Sequence, residues 1–402
     1  MIEKNNDYPV ILVPGMFGYG EKNYLSYVCP YFGTIGGNGP YLVNTAGLDC
    51  HTAEFRILSG VYERACELYA QITGTTVDYG AAYAAAHNTA RFGRKYTTPF
   101  VPDWGKENEN GKINKVTLIA HGFGVTVARY LVFLLANGCA AEREMGYSDI
   151  SPLFVGGQNK AVHCVVSLAG INDGTTLFQA IDYYAEGVLE KVVDVAYKID
   201  AFFDKRKGAA SRKLKGKDYL EQKMGNIFYE AGLDGMAEIN AGISVVDDVY
   251  YLCYTGEVTQ DYARYLPKPK FGKYENPFTS KTYQRQLNNE FELTLPITRG
   301  FSVAPTAILL GRFKNYLPDA PIATERLHAN DGFVNTDNSL APSTEPAAAF
   351  SSINTAYPGK WYQMPIERNT HFEYIGFPVK RSEYKEFFLD VVSTAASLFD
   401  ED

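Results

Sequence analysis

The sequence predicts an α/β fold: a mostly parallel central sheet flanked by helices, with an inserted helical segment. Three observations predict it. Largely apolar runs at the start of Pro9–Gly20, at Val116–Ala120 and at Val162–Leu168 read as short buried strands. Between them lie stretches whose apolar residues recur at spacings of three and four, the signature of amphipathic helices. Strands that alternate with helices build parallel sheets. At 402 residues and 46% hydrophobic content, the chain can bury such a core in one large domain or in a domain with an inserted cap.

The elements follow in order. Pro9–Gly20 reads as a buried strand running into a glycine-rich turn. That turn matches neither phosphate-binding pattern, GxGxxG or GxxxxGK[ST]. It suits a loop whose backbone N–H groups face a developing negative charge. Residues 31–50 read as loop, and Glu63–Ile72 as a helix with Ala65, Cys66, Leu68, Tyr69 and Ile72 on its apolar face. Residues 78–94 are alanine-rich and read as partly helical. Thr175 to about Phe203 reads as a long helical region, because Leu177, Ile181, Tyr184, Val188, Val192, Val195, Ile199 and Phe202 recur at helical spacing. A basic loop at 205–217 follows, then a strand at Val249–Tyr254. A Pro/Gly/Lys-rich loop runs from Pro267 to Pro277. His328–Asn335 reads as a polar turn, Trp361–Pro365 as a strand, and Tyr384–Phe399 as a closing helix.

The chain is organised around Val116–Arg129. A strand ends at Ala120, the turn His121-Gly122-Phe123-Gly124 follows, and Val125 begins a helix. Strand, sharp turn and helix frame the nucleophile elbow G-x-S-x-G of α/β-hydrolases. Here the frame reads Ala120-His121-Gly122-Phe123-Gly124, and the serine position holds glycine.

Composition narrows the partners. A net charge of -8 argues against nucleic acid as a partner. The 30 Tyr and 24 Phe fit a rich aromatic core first and an apolar ligand cleft second. Six cysteines show no CxxC or metal-ligand spacing and read mostly as buried thiols. No stretch approaches the ~20 apolar residues of a membrane span. The polar start Met1–Asp7 does not read as a signal peptide, so the expectation is a chain kept inside the cell or the mature form of a secreted one.

Several segments together resemble the thermoalkalophilic bacillary and staphylococcal triacylglycerol lipases, a branch of the α/β-hydrolases. The carriers are Pro14–Gly20, Arg64–Gln71, Asp78–Ala82, Ala90–Arg94, Asn172–Thr176, Asn330–Thr336 and His371–Gly376. The resemblance spans nearly the whole length. It implies residues 1–402 as a single lipase-like domain and residues 175–245 as an inserted helical lid. It places the nucleophile at Gly122, the acid at Asp331 and the base at His371, in the α/β-hydrolase order. Asp331 would orient His371 and stabilise its cation. The backbone N–H groups of Met16 and Phe123 would form the oxyanion hole. Gly122 has no side-chain oxygen and cannot attack a carbonyl; loss of a triad serine costs about 10⁶-fold in turnover. Pro14 stands where the family has His, and Val125 where it has a small Gly that favours close helix–strand packing. Both are expected to misplace the elbow or the oxyanion loop. Ser167 and Thr126 lie near strand ends but lack the elbow frame, and His121 reads as a packed residue.

The same resemblance implies metals that the residues do not support. The zinc ligands of the family, two His and two Asp, fall at Tyr83, Thr89 and Glu63, with the second Asp unplaced. Tyr and Thr are poor zinc ligands. The calcium site includes Glu373, but a second acidic ligand falls at Pro378. No cofactor is expected. The expected function is a lipase-like protein without the nucleophilic serine, a pseudo-enzyme that binds an acyl lipid or ester in the inherited cleft; the basic loop at 205–217 reads as a solvated hinge or surface loop, with peripheral contact to anionic lipid headgroups as the alternative. The alternatives are a carboxylic-ester hydrolase, seen as a serine knockout or using another nucleophile, and a structural or interaction module. Oligomeric state is left open.

Overall fold

The computed structural model describes residues 4–21, 26, 28–34, 37–207, 216–261, 291–293, 303–311 and 327–400. The expected loop at Pro267–Pro277 lies outside the described residues, as does most of the basic loop at 205–217.

Seven strands form the central sheet: β1 Val10–Val13, β2 Cys50–Thr52, β3 Val116–His121, β4 Val162–Leu168, β5 Tyr250–Tyr254, β6 Ala347–Ala349 and β7 Trp361–Gln363. Their order is β6-β7-β5-β4-β3-β1-β2, and every neighbouring pair is parallel. Strands β1, β3, β4 and β5 are buried along their full length, as expected of a sheet covered on both faces. Successive residues of each strand alternate between two cores. Ile11, Val13, Leu118, Ala120 and Val165 face one core; Val10, Leu12, Ile119, Cys164 and Val166 face the other.

Eight helices matter for the site and its support: α1 Gly39–Thr45, α2 Val61–Thr73, α3 Ala81–His87, α4 Phe123–Asn137, α5 Leu177–Tyr184, α6 Val188–Lys207, α7 Leu233–Gly242 and α8 Arg381–Ser397. Helices α2 and α4 cover the first core with Val61, Leu68, Ala128 and Leu131. Helices α1 and α8 cover the second with Leu42, Val43, Phe388 and Val391. Parallel strands fed by crossovers place all their carboxyl ends on one edge, and in open α/β sheets that edge is where sites form.

The expected helical region from Thr175 to about Phe203 consists of two helices, α5 and α6. Helix α5 ends at Ala185, and Gly187 takes φ 75°, a left-handed conformation that breaks the run before α6 begins. The apolar spacing survives the break because Tyr184 and Val188 are four residues apart. The segment read as loop at 31–50 contains α1, and β2 and β6 were not apparent from the sequence. Four cysteines are buried as expected, Cys139 is half-buried and Cys29 is exposed.

Candidate functional site

Strand β3 runs directly into helix α4, and Gly122 is the residue between them. Its backbone sits at φ 54°, ψ -123°, a region closed to most side chains. Three hydrogen bonds fix that turn. Gly122 N–H donates to the Leu168 carbonyl at 3.1 Å, and its own carbonyl accepts from Val125 N–H at 3.1 Å and Ile171 N–H at 3.2 Å. Gly124 explains the second glycine of the frame. A Cβ there would lie 2.4 Å from the Val13 carbonyl oxygen, so only glycine lets α4 pack this close to the end of β1.

Asp331 and His371 arrive from separate loops and meet above this turn. His371 Nδ1 lies 3.0 Å from Asp331 Oδ2, and His371 N–H donates to the Asp331 carbonyl at 2.9 Å. The other carboxylate oxygen accepts from Phe333 N–H at 2.8 Å and Val334 N–H at 2.7 Å. Asp331 is fully buried and His371 3% exposed. A carboxylate held this way fixes both the tautomer and the tilt of the imidazole, leaving Nε2 free to point away from it. The Phe333 ring stacks on the imidazole at 4.8 Å. A Cβ built at Gly122 would lie 3.1 Å from His371 Nε2 and 3.3 Å from Cε1. The imidazole thus leans on the space a side chain at 122 would take. The structure brings Gly122, Asp331 and His371 together.

The two backbone groups expected at an oxyanion hole follow the ends of β1 and β3. Phe123 is the first residue of α4, where N–H groups lack intrahelical partners. Met16 lies in the loop after β1, next to Phe17, whose φ of 58° is unusual for an aromatic residue. Among the described residues neither the Met16 nor the Phe123 N–H has a hydrogen-bond partner.

Three residues hold these loops in place. Arg64, 1% exposed on α2, donates to the Gly15 carbonyl at 3.1 Å and to the Ser59 and Ile57 carbonyls, and it lies over the Phe123 ring at 5.7 Å. Gly15 N–H donates to Tyr31 Oη at 3.0 Å, and Tyr31 lies 2.8 Å from His121 Nδ1. Tyr31 therefore donates to Nδ1, and His121 Nε2–H donates to the His371 carbonyl at 3.0 Å. His121 stays neutral in this chain. Burial is the main cause that pushes its pKa well below the ordinary histidine value, and the nearby His371 adds to it. The expected packed residue is thus a link between the oxyanion-type loop and the loop of His371. Arg64 and Tyr31 were not singled out from sequence, since the contacts that tie them to the site, with Gly15 and His121, come from other segments of the chain.

Val125 does not displace the elbow as expected. It is fully buried in the first core, where Gly170 opposite leaves it room, and the turn at Gly122 is intact. Thr126 and Ser167 are also fully buried. Thr126 Oγ1 donates to the Ile171 carbonyl at 3.1 Å, and Ser167 Oγ lies 3.5 Å from Asn172 Nδ2. Glu373 spends Oε2 on the Thr370 N–H at 2.7 Å and so braces the turn that carries His371. Pro378, at the position of the second acidic ligand, offers no side-chain oxygen.

An aromatic path leads away from His371. Phe333 contacts Phe178 of α5 at 6.1 Å, Phe178 contacts Phe228 at 5.0 Å, and Phe228 contacts Phe17 at 6.2 Å. A separate cavity of about 450 Å³ lies beside Tyr31, lined also by Glu21, Asn38, Tyr41 and Arg381.

Comparison with known proteins places this arrangement. Residues 6–215 match the family described as lipase-like, C-terminal domain. Lipase 2 of Staphylococcus aureus is 26% identical over 98% of this chain and 54% of its own length. The chain thus spans about half the length of the curated relatives it matches. Among solved structures, EstA from Clostridium botulinum aligns with a TM-score of 0.75 at 24% identity, over 100% of this chain and 90% of that one, a likeness of fold. Lipase 1 from Pelosinus fermentans aligns with a TM-score of 0.72 at 25% identity, over 96% and 98%. With its parallel sheet and strand–turn–helix at Gly122, this chain has an α/β-hydrolase fold and belongs to the lipase-like family that includes the staphylococcal lipases.

Proposed function

We propose that this chain is a lipase-like protein without serine-type turnover, which binds an acyl chain or ester in the cleft above Gly122. The observation that carries this reading is the glycine at the elbow. The acid–base pair is in place and Nε2 points at position 122, but no oxygen is there to be activated. A substitute nucleophile is not favoured, because Thr126 and Ser167 are enclosed in the core and bonded elsewhere. The phenylalanine path from His371 to Phe17 supports an apolar occupant.

In this reading residues 175–245 act as the cover of the cleft. Support comes from Phe178 and Phe228, which contribute to the path, and from exposed Tyr183, Val188, Val195 and Ile199 on α5 and α6. An apolar face of that kind suits contact with lipid. Titration with a fluorescent fatty acid and with a short-chain ester tests binding. Saturable binding that weakens on Phe178→Ala and Phe333→Ala is expected. Absence of binding to either probe would leave only a structural or interaction role.

A further inference from the structure

The lipase-like resemblance implies a structural metal at Glu63, Tyr83 and Thr89, and the residues present do not fit one. Glu63 Oε2 accepts from the Gly60 N–H at 3.3 Å, closing the first turn of α2. Thr89 N–H donates to the Ala84 carbonyl at 3.1 Å at the end of α3. The Tyr83 ring is enclosed between two others: it stacks on Tyr62 at 4.5 Å and on His87 at 4.0 Å. Tyr62 in turn stacks on Phe154 and meets Tyr130 edge-on, both at 6.1 Å. A carboxylate, a stacked phenol and a hydroxyl are a poor set for zinc, which takes imidazole, thiolate and carboxylate. Among the described residues no group of three or more His, Cys, Asp or Glu converges on a point.

The same region is tied in other ways. Glu142, 4% exposed, accepts the Ala82 N–H at 2.9 Å and the Tyr83 N–H at 2.8 Å, so a carboxylate from 60 residues away caps α3. Tyr62 donates to the Tyr79 carbonyl at 3.0 Å. Glu230, 1% exposed, accepts the Val61 N–H at 2.7 Å and the Gly225 N–H at 2.8 Å, joining the segment before α7 to the start of α2.

We propose that the stack of Tyr62, Tyr83 and His87, together with the Glu142 cap on α3, fastens residues 76–95 to the body of the protein without a metal ion. Each part does what a ligand set would do. The stack fixes α3 against α2 through ring contact, which adds to what burial alone supplies. The cap fixes where α3 starts. Glu230 closes the neighbouring junction by the same means. The tie is therefore built from apolar contact and buried hydrogen bonds, which a chelator cannot remove.

The test uses the full chain purified without chelator. Elemental analysis is expected to find substoichiometric zinc, and the Tm is expected to stay fixed with EDTA or with added zinc chloride. Hydrogen exchange is then read on Tyr83→Ala, Tyr83→Phe and Glu142→Gln. Tyr83→Ala should speed exchange within 76–95 about tenfold, the loss of one to two stacked pairs, while β3 stays protected. Tyr83→Phe keeps the ring and should stay within about threefold of the parent. Glu142→Gln weakens the cap and should speed the same segment, which keeps the test open if Tyr83→Ala does not fold. Stoichiometric zinc whose removal lowers the Tm would overturn the proposal. So would unchanged exchange of 76–95 in both Tyr83→Ala and Glu142→Gln.

Discussion

Gly122→Ser is the perturbation whose cost can be worked from the structure. Two terms contribute. The first is the backbone, since φ 54° with ψ -123° is sparsely populated for any residue with a Cβ. Holding a side chain there costs about 1–3 kcal/mol. The second is contact. The new Cβ would stand 3.1 Å from His371 Nε2, so the imidazole must yield by a few tenths of an ångström. The imidazole is stacked on Phe333 and bonded to Asp331, so it does not yield freely. Unfolding entropy of about 2.1 cal/mol/K per residue gives roughly 0.8 kcal/mol/K for 402 residues. The substitution should therefore lower the Tm by about 1–4 °C. Differential scanning calorimetry of the parent and the variant at matched scan rate reads this directly. An unchanged or raised Tm would mean that the turn at 122 relaxes to an ordinary conformation, and the argument from the strained elbow would fail. Gly122→Ala carries the same two terms without the hydroxyl and should fall by a similar amount.

Other outcomes follow from the same geometry. Val125→Gly empties a fully buried position and puts glycine in a helix, so it should cost about 2–4 kcal/mol; urea denaturation checks it, and a gain in stability would revive the view that Val125 strains the elbow. His121 is neutral when folded but takes a proton below about pH 6.5 when unfolded, so the unfolded state binds more protons there. Stability should fall as pH drops from 6.5, and His121→Asn should flatten that slope while lowering stability at pH 7.5; an unchanged slope would refute the assignment. Exchange in α6, which exposes Val188, Val195 and Ile199, should outpace exchange in β3; equal protection would argue against a mobile cover at 175–245.

The sequence made the scaffold legible where the pattern was long and unambiguous. Val116–Ala120 followed by a glycine turn and a helical apolar face allowed only one local reading, and the structure has it. The edge strands β2 and β6 are three residues each, too short to carry a period, and exist because a neighbour offers its hydrogen bonds. The break at Gly187 was hidden by apolar spacing that continues across it. The pairing of Asp331 with His371 came from family likeness, since two loops 40 residues apart meet only through the fold. Arg64, Tyr31, Glu142 and Glu230 stayed unread for the same reason. Each acts through a backbone group contributed by a distant segment, and no local pattern marks such a contact.

In the proposed reading the absent hydroxyl at Gly122 leaves the Asp331–His371 pair with no nucleophile to activate. Labelling with a fluorophosphonate probe, followed by peptide mass spectrometry, tests it most directly. No label is expected on the native chain, and on Gly122→Ser a label at position 122 that disappears when His371→Ala is added. Stoichiometric label on the native chain, lost with His371→Ala, would contradict it and would mean that another side chain attacks.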